Sequence, residues 1–324
     1  MSRASATAVV LLPERARFAG QAMPEALGRA LSRADRDERA LPALQRVFDV
    51  LPRGWPAAAV TRQRDAGDAA GALWLRADPA YVRPDISGAR LLGFGDALGL
   101  NEAQVALLLT PLRPLFGDCG FIIDAPHPSR WYVRLPAGAK LPAFASPTDA
   151  LGADLLEHLP GSVAQDPGAR RWRSLLSEAQ IVLHNHPLNA ERAARGLAPV
   201  NSLWFWGAGA LPDRVTCTAD LVLTRDEAVQ AFAMQARTEA REPPEAWPAD
   251  SAGHTVVDLR HLRAAHELHA SWLAPMLAEV ESGRRSCIAL EFEDGVSYTL
   301  ARSQRWRFWR RPLVAFPAAS GSAA

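Results

Sequence analysis

Lysine is almost missing from this chain of 324 residues: Lys140 is the only one among 36 basic residues, in a loop-like Ala-Gly-Ala-Lys-Leu-Pro setting. Schiff-base chemistry therefore has a single candidate amine. Cysteine is nearly as scarce. Cys119, Cys217 and Cys287 are odd in number, far apart and without CxxC spacing, which argues against a disulfide framework or a zinc knuckle and fits a reducing, cytoplasmic setting. No apolar run approaches the roughly 20 residues needed to cross a bilayer, so no membrane span is expected. The run Ala6 to Leu12 is short, has one Arg before it and leads straight into Pro13-Glu14-Arg15, so it reads as a buried first strand rather than a signal-peptide core. Charge excess is absent too. With 36 basic and 35 acidic residues the net charge is +1, which gives neither nucleic acid nor an anionic membrane an electrostatic claim as main partner, local patches aside. The signatures GxSxG, GxxxxGK[ST] and HExxH are missing throughout.

What is present is apolar content of 48%, enough for a large core in one domain with an insertion or in two domains. Ala8 to Leu12 predicts a strand, Pro24 to Arg33 a helix, and Ala40 to Leu51 another helix. Arg62 to Asp85 reads as turn-rich. Arg90 to Phe94 predicts a strand, and Asn101 with Gln104 a capped helix start that Pro111 and Pro114 bring to an end. Phe121 to Ile123 and Trp131 to Leu135 read as strands, Ser146-Pro147 opens a helix, and Asp166-Pro-Gly marks a break. Arg237 to Gly253 reads as a loop, and His254 to about Ser282 as a helix. Ser286 to Phe292 and Val296 to Ala301 then form a hairpin through Glu293-Asp294-Gly295, and the last seven residues are expected to fray.

The most particular stretch runs from Leu183 to Gly209. Ile181 to Leu183 reads as a strand, Leu188 to Arg195 as a helix stopped at Gly196, and Ser202 to Trp206 as a second strand, a β-α-β unit. Strand carboxyl ends carry the ligand crevice in such units, so His184, Asn185 and His186 would share one site with Gly207 to Gly209. His184 and His186 alternate, which suits a ligand, a phosphate or a metal, or else a turn whose imidazoles bond to the backbone. Asn189, Arg192 and Asn201 add hydrogen-bonding groups, with Arg192 able to grip a phosphate or carboxylate through two donors. The glycines can equally serve a tight turn.

Two other patterns stand out. His266 and His269 fall on an apolar stripe with Leu259, Leu262, Leu273 and Leu277, compatible with a site or with a satisfied core pair. Arg302, Arg305, Arg307, Arg310 and Arg311 interleave with Trp306, Phe308 and Trp309, the make-up of a nucleic-acid or membrane-surface strip, or of an edge strand whose arginines lie over its tryptophans.

The pattern His186-Pro187-x-Asn189-x-x-Arg192-x-x-x-Gly196-x-x-Pro199-x-Asn201, with a strand and Gly207-x-Gly209 behind it, resembles cofactor-independent phosphoglycerate mutases of the archaeal type. Ala66-Gly67-Asp68-Ala69 with Asp78-Pro79 resembles that family's Gly-Ser-Asp-x-Ala and following Asp-Pro. Residues 86 to 135 resemble its inserted substrate domain. The resemblance implies an alkaline-phosphatase-type fold, two divalent metal ions and phosphoryl transfer through a serine. The sequence departs from it at several points. Leu12 is followed by Pro13-Glu14 where the family has a metal-binding Asp-Gly, Gly67 stands at the serine position, and Asp258 with His261, and Glu293-Asp294-Gly295, fail to match the late metal segments. Losing such groups should abolish two-metal transfer. The segments Leu-His-Asn-His-Pro-Leu-Asn and Asn-Ser-Leu-Trp-Phe-Trp-Gly also resemble RpfE-type regulatory proteins.

The resulting expectation is an α/β protein with a reduced, three-layer alkaline-phosphatase-like sheet, its core in 1–75 and 146–324 and a small α+β insertion in 76–145. It would be a regulatory, catalytically inactive relative that holds a phosphorylated or carboxylated small molecule with His184, His186, Asn189, Arg192, Asn201, Gly207, Gly209 and Asp68. No metal or other cofactor and no nucleic acid are expected. An active mutase or phosphatase would instead bind Mn or Zn, with Asp68, Asp258, His261, His266 and Asp294 as available ligands. A protein-interaction scaffold using Trp204, Trp206 and the Arg/Trp tail is the third reading.

Overall fold

The computed structural model describes residues 6–85, 88–136, 138–152, 167–249 and 251–316. Along the chain run β1 (Thr7–Leu12), α1 (Glu25–Arg33), β2 (Asp35–Glu38), α2 (Ala43–Val47), β3 (Phe48–Leu51), α3 (Ala57–Ala66), β4 (Leu73–Asp85) and β5 (Gly88–Phe94). Then follow α4 (Glu102–Asp118), β6 (Ile122–His127), β7 (Arg130–Leu135), α5 (Pro147–Ala150), α6 (Pro167–His184), α7 (Leu188–Ala194) and β8 (Ser202–Ala210). The remainder is β9 (Arg214–Cys217), β10 (Leu221–Leu223), α8 (Glu227–Gln235), β11 (Glu239–Arg241), β12 (His254–Asp258), the helical run α9 (265–282), β13 (Cys287–Phe292) and β14 (Val296–Ala301).

Two compact units result, one of residues 1–54 with 214–324 and one of residues 55–213. Residues 55–75 and 146–213 thus cluster with 76–145, whereas the expectation grouped them with the core. The first unit is of α/β type. Its seven-stranded sheet has the order β11-β10-β12-β1-β13-β14-β2, parallel from β11 to β13 and antiparallel beyond. Alternation puts Ala8, Val10 and Leu12 of β1 on one face, where they pack with Leu27 and Leu31 of α1 and with Leu268, Trp272 and Met276 of α9. Each such fully buried Val, Leu or Met side chain contributes about 1.5–3 kcal/mol. Leu11, Val222 and Val256 are buried on the opposite face.

The second unit is an antiparallel sheet in which β4 pairs β7 through Leu73 to Arg76 and β5 through Ala80 to Asp85 along one edge, and β8 along the other. One face packs Leu75, Ala77, Val133, Leu203 and Phe205 against α4, α6 and α7; Trp74 and Tyr132 on the other face pack with Ala58 and Ala59 of α3.

Several expectations change. Ile181 to Leu183 is helical, because Trp172, Leu175, Leu176, Ala179 and Leu183 form one buried stripe at helical spacing, so the expected β-α-β unit is α-α-β. Residues 40–51 split into a short helix and a strand, and 254–282 begin with β12 before turning helical. The supposedly turn-rich 62–85 contains the end of α3 and the 13-residue β4. Pro79 is tolerated there because it lies where β4 changes partner from β7 to β5. Pro111 and Pro114 sit inside α4 rather than ending it; Leu107 and Thr110, whose carbonyls lose a donor, are exposed to water. The capping box of Asn101 and Gln104, the stop at Gly196 and the final hairpin form as expected. The break at Asp166 and the fraying of the last seven residues fall outside the described residues.

Candidate functional site

The residues expected to cradle an anion lie in the second unit, and most of their polar atoms are bonded to backbone. Asn189 Nδ2 donates to the carbonyls of Leu183 at 2.8 Å and Val200 at 3.0 Å, and its Oδ1 accepts from Val200 N at 2.8 Å. Asn201 is clamped to β4, with Oδ1 accepting from Val82 N at 2.9 Å and Nδ2 donating to Val82 O at 2.7 Å. Arg192 is 1% exposed. Its Nε donates to Ala198 O at 2.8 Å, and its terminal nitrogens to Leu98 O and Gln104 Oε1. Burial, with Arg195 close by, lowers its pKa. His186 Nδ1 accepts from Leu188 N at 3.2 Å, whereas His184 is exposed at the end of α6. These side chains staple α6, α7, β8, β4 and the start of α4 together. Their particular spacing is thus a folding requirement, and Arg192 keeps little capacity for an anion.

Gly207 and Gly209 serve packing. A Cβ on Gly209 would lie 2.4 Å from Pro56 Cβ, and one on Gly207, at φ +67°, 3.0 Å from Ala57 Cβ. Strand β8 can approach the start of α3 only without side chains there. Asp68, the last expected ligand, is instead held by Arg62 through two bonds of 2.5 and 2.7 Å. Arg62 also reaches Asp124 at 2.6 Å, while Arg130 and Tyr132 hold Asp65 and Arg76 holds Asp78. With Arg64 at 3.2 Å from Asp65, these four guanidiniums are paired with four carboxylates. Gly67 at the serine position is the left-handed cap of α3, at φ +74°.

A different site lies at the carboxyl ends of the parallel strands in the first unit, the usual ligand crevice of such sheets. There β12 ends at Asp258, β10 leads into Thr224 to Asp226, and β13 leads into Glu293. Arg260 fills the space between these groups. Its guanidinium bonds both oxygens of Asp258 at 2.8 and 2.7 Å and Asp226 at 2.9 Å, with Glu293 at 3.6 Å. Thr224 Oγ1 donates to Asp258 at 2.9 Å. Burial pushes the Asp258 carboxyl up, but Arg260 and these hydrogen bonds outweigh it and hold the carboxyl below its ordinary range. Asp294 forms an ion pair with Arg15 at 2.7 Å. The metal-ligand set of the active-enzyme reading therefore does not fit: its carboxylates face guanidiniums, and no three His, Cys, Asp or Glu side chains converge on a cation position among the described residues.

Beside Arg260 opens a cavity of about 810 Å³, lined among others by Arg225, Glu245, His261, Arg263 and Trp272. Arg225 is exposed and has no hydrogen-bond or ion-pair partner among the described residues. Among the described residues Arg263 bonds only carbonyls, those of Arg260 and Leu262. Burial, then Arg225, lowers the His261 pKa, which favours the neutral imidazole, able both to donate and to accept. The wall also includes the π-helical turn Leu268–Leu273, whose Ser271 carbonyl accepts from Trp247 N at 2.9 Å. His266 is exposed and His269 Nε2 is buried without a partner. The signal for this site was available in the apolar runs Leu221 to Leu223 and Thr255 to Val257, each followed by Thr, Asp or Arg.

No protein-family model matches the chain. A probable 2,3-bisphosphoglycerate-independent phosphoglycerate mutase of Geobacter sulfurreducens is 42% identical over 66 residues, 20% of this chain and 16% of that protein. The 2,3-bisphosphoglycerate-independent phosphoglycerate mutase of Methanosarcina barkeri is 38% identical over 66 residues with the same shares. The chain thus matches about one sixth of the length of these curated relatives. Among solved structures, a cofactor-independent phosphoglycerate mutase of Thermoplasma acidophilum has 14% identity over 91% of this chain and 89% of that one, with a TM-score of 0.39. A Pyrococcus horikoshii protein has 10% identity over 92% and 87%, with a TM-score of 0.40. The α/β assignment rests on the strand order, not on those scores.

Proposed function

We propose that this is a phosphoglycerate-mutase-like protein with a regulatory role, as the RpfE-type resemblance implies, which binds a phosphorylated or carboxylated small molecule without transferring its phosphoryl group. One observation carries the reading: the guanidinium of Arg260 sits among Asp258, Asp226 and Glu293, so a side-chain cation neutralises the carboxylates that metal-assisted chemistry would need free. Gly67, as a helix cap, also offers no nucleophilic hydroxyl. The ligand would occupy the cavity beside Arg260, its anionic group against Arg225 and Arg263 and its hydroxyl or carbonyl groups on neutral His261.

Metal analysis of the purified protein after incubation with Mn or Zn, paired with an assay of 3-phosphoglycerate turnover, tests the reading. Substoichiometric metal and no turnover are expected; stoichiometric metal with turnover would establish an active mutase or phosphatase instead. A thermal-shift series with phosphoglycerates tests binding, since ligand at one hundred times its Kd stabilises by about 2.7 kcal/mol. Arg225→Ala should remove the shift. No shift with any small anion would favour a protein-interaction scaffold.

A further inference from the structure

From Gly295 to Ala324 the chain contains no acidic residue and five arginines, although its overall charge is only +1. Within this stretch Trp306, Phe308, Trp309 and Val314 are 64, 73, 69 and 84% exposed. Large apolar side chains clustered in water are rare on a folded protein and mark interaction surfaces. Their exposure is built in, because the backbone that carries them is tied down. Leu313 N donates to Gly28 O at 3.1 Å, Met23 N to Val314 O at 3.2 Å, and the Phe316 ring packs 5.1 Å from that of Phe18. Gly28 makes this docking possible, since a Cβ there would lie 2.0 Å from Leu313 O. Arg307 NH1 donates to Arg33 O and Asp35, and Arg310 NH1 to the carbonyls of Ser32 and Ala34.

The charge on this surface is uncompensated. Asp35, Asp37 and Glu38 on the neighbouring edge strand β2 are taken by Arg307, Arg39 and Arg36. That leaves exposed Arg302, Arg305 and Arg311 without a carboxylate partner among the described residues, and Arg310 bonded to carbonyls alone. The segment is not the edge strand that its composition allowed: Arg302–Trp306 is a short 3-10 helix followed by a turn.

We propose that residues 302–314 form a peripheral anchor for an anionic phospholipid surface, a use independent of the small-molecule site. The ring geometry favours a bilayer over a single-stranded nucleic acid. A strand needs open ring faces on which successive bases stack. Here Arg305 covers the face of Trp306 at 4.7 Å, and Phe308 and Trp309 meet edge to face, 5.6 Å apart at 78°. Exposed tryptophan and phenylalanine rings interleaved along the chain with arginines match the interfacial region of a membrane, where rings enter at headgroup depth and guanidiniums meet lipid phosphates.

Co-sedimentation of the full chain with vesicles tests the proposal. Binding to vesicles containing phosphatidylglycerol, weakened by salt, and little binding to phosphatidylcholine alone are expected. The triple variant Trp306→Ser, Phe308→Ser, Trp309→Ser should lose about tenfold in vesicle affinity, and Arg302→Gln with Arg305→Gln and Arg311→Gln should do so with a flatter salt dependence. All six positions are exposed, and far-ultraviolet circular dichroism checks that each variant is folded. No binding to anionic vesicles, wild-type binding by a folded triple variant, or tighter binding to a single-stranded oligonucleotide than to vesicles would overturn it.

Discussion

Arg260 grips Asp258 through both carboxylate oxygens, at 2.8 and 2.7 Å, with Asp258 almost wholly buried at the end of β12. Truncating the guanidinium would leave a buried carboxylate with Thr224 and backbone as its remaining donors. Arg260→Ala should therefore cost about 3–5 kcal/mol, read as a lowered denaturant midpoint. The double variant Arg260→Met, Asp258→Leu should recover most of that loss, because the buried carboxylate goes with its partner, and Asp226 and Glu293, which also lose Arg260, are partly exposed to water. Equal losses in the single and double variants would show that packing, not the ion pair, sets the cost.

Arg192 offers the opposite kind of test. Its two-donor fork suits a phosphate or carboxylate, but the structure joins it to Ala198 O, Leu98 O and Gln104. Arg192→Ala should destabilise by about 1–3 kcal/mol for each stranded acceptor. The thermal shift with phosphoglycerates should survive in whatever protein remains folded. Loss of that shift at unchanged stability would return Arg192 to the binding site.

The difference between these two arginines marks what could be read from residues alone. The hairpin, the capping box of Asn101 and the first strand were legible, because period-2 alternation and local caps depend on near neighbours. Residues 254–282 read as one helix because only five strand residues precede a long helical stripe, and the stripe dominates the pattern. Asp258 is named in the sequence only as a metal ligand of the active-enzyme reading; that it ends a parallel strand and is gripped by Arg260 is visible only in the fold. Leu183 to Gly209 was rightly singled out as unusual, yet type and spacing cannot tell an arginine that binds a ligand from one that binds carbonyls of Leu98 and Ala198. The partner at Leu98 is 94 residues away in sequence, and only the folded chain supplies it.

Two glycines should respond to alanine with opposite signs. At Gly209 the new methyl would meet Pro56 at 2.4 Å, a rigid ring next to the start of α3, so Gly209→Ala should cost about 1–3 kcal/mol. At Gly117, inside α4, a Cβ would meet nothing within 4 Å, and alanine should stabilise by about 0.5–1 kcal/mol through helix propensity. Denaturant midpoints of the two variants check this, and a destabilised Gly117→Ala would contradict it.

Acid should weaken the protein in two stages. Burial lowers the pKa of His254 and of His269 below the ordinary 6.5. The unfolded chain therefore takes up protons first, and stability that is full above about pH 6.5 falls as pH drops toward the folded values. Asp258 and Asp65 follow: burial raises them, but Arg260 and Arg130 with their hydrogen bonds hold both below 3.8, so their contribution is present above that value and lost beneath it. His269 separates the stages, since its Nε2 is buried without a hydrogen-bond partner among the described residues. His269→Leu should raise the denaturant midpoint at about pH 5 more than at about pH 7.5, and an equal change at both would assign the first stage to other groups.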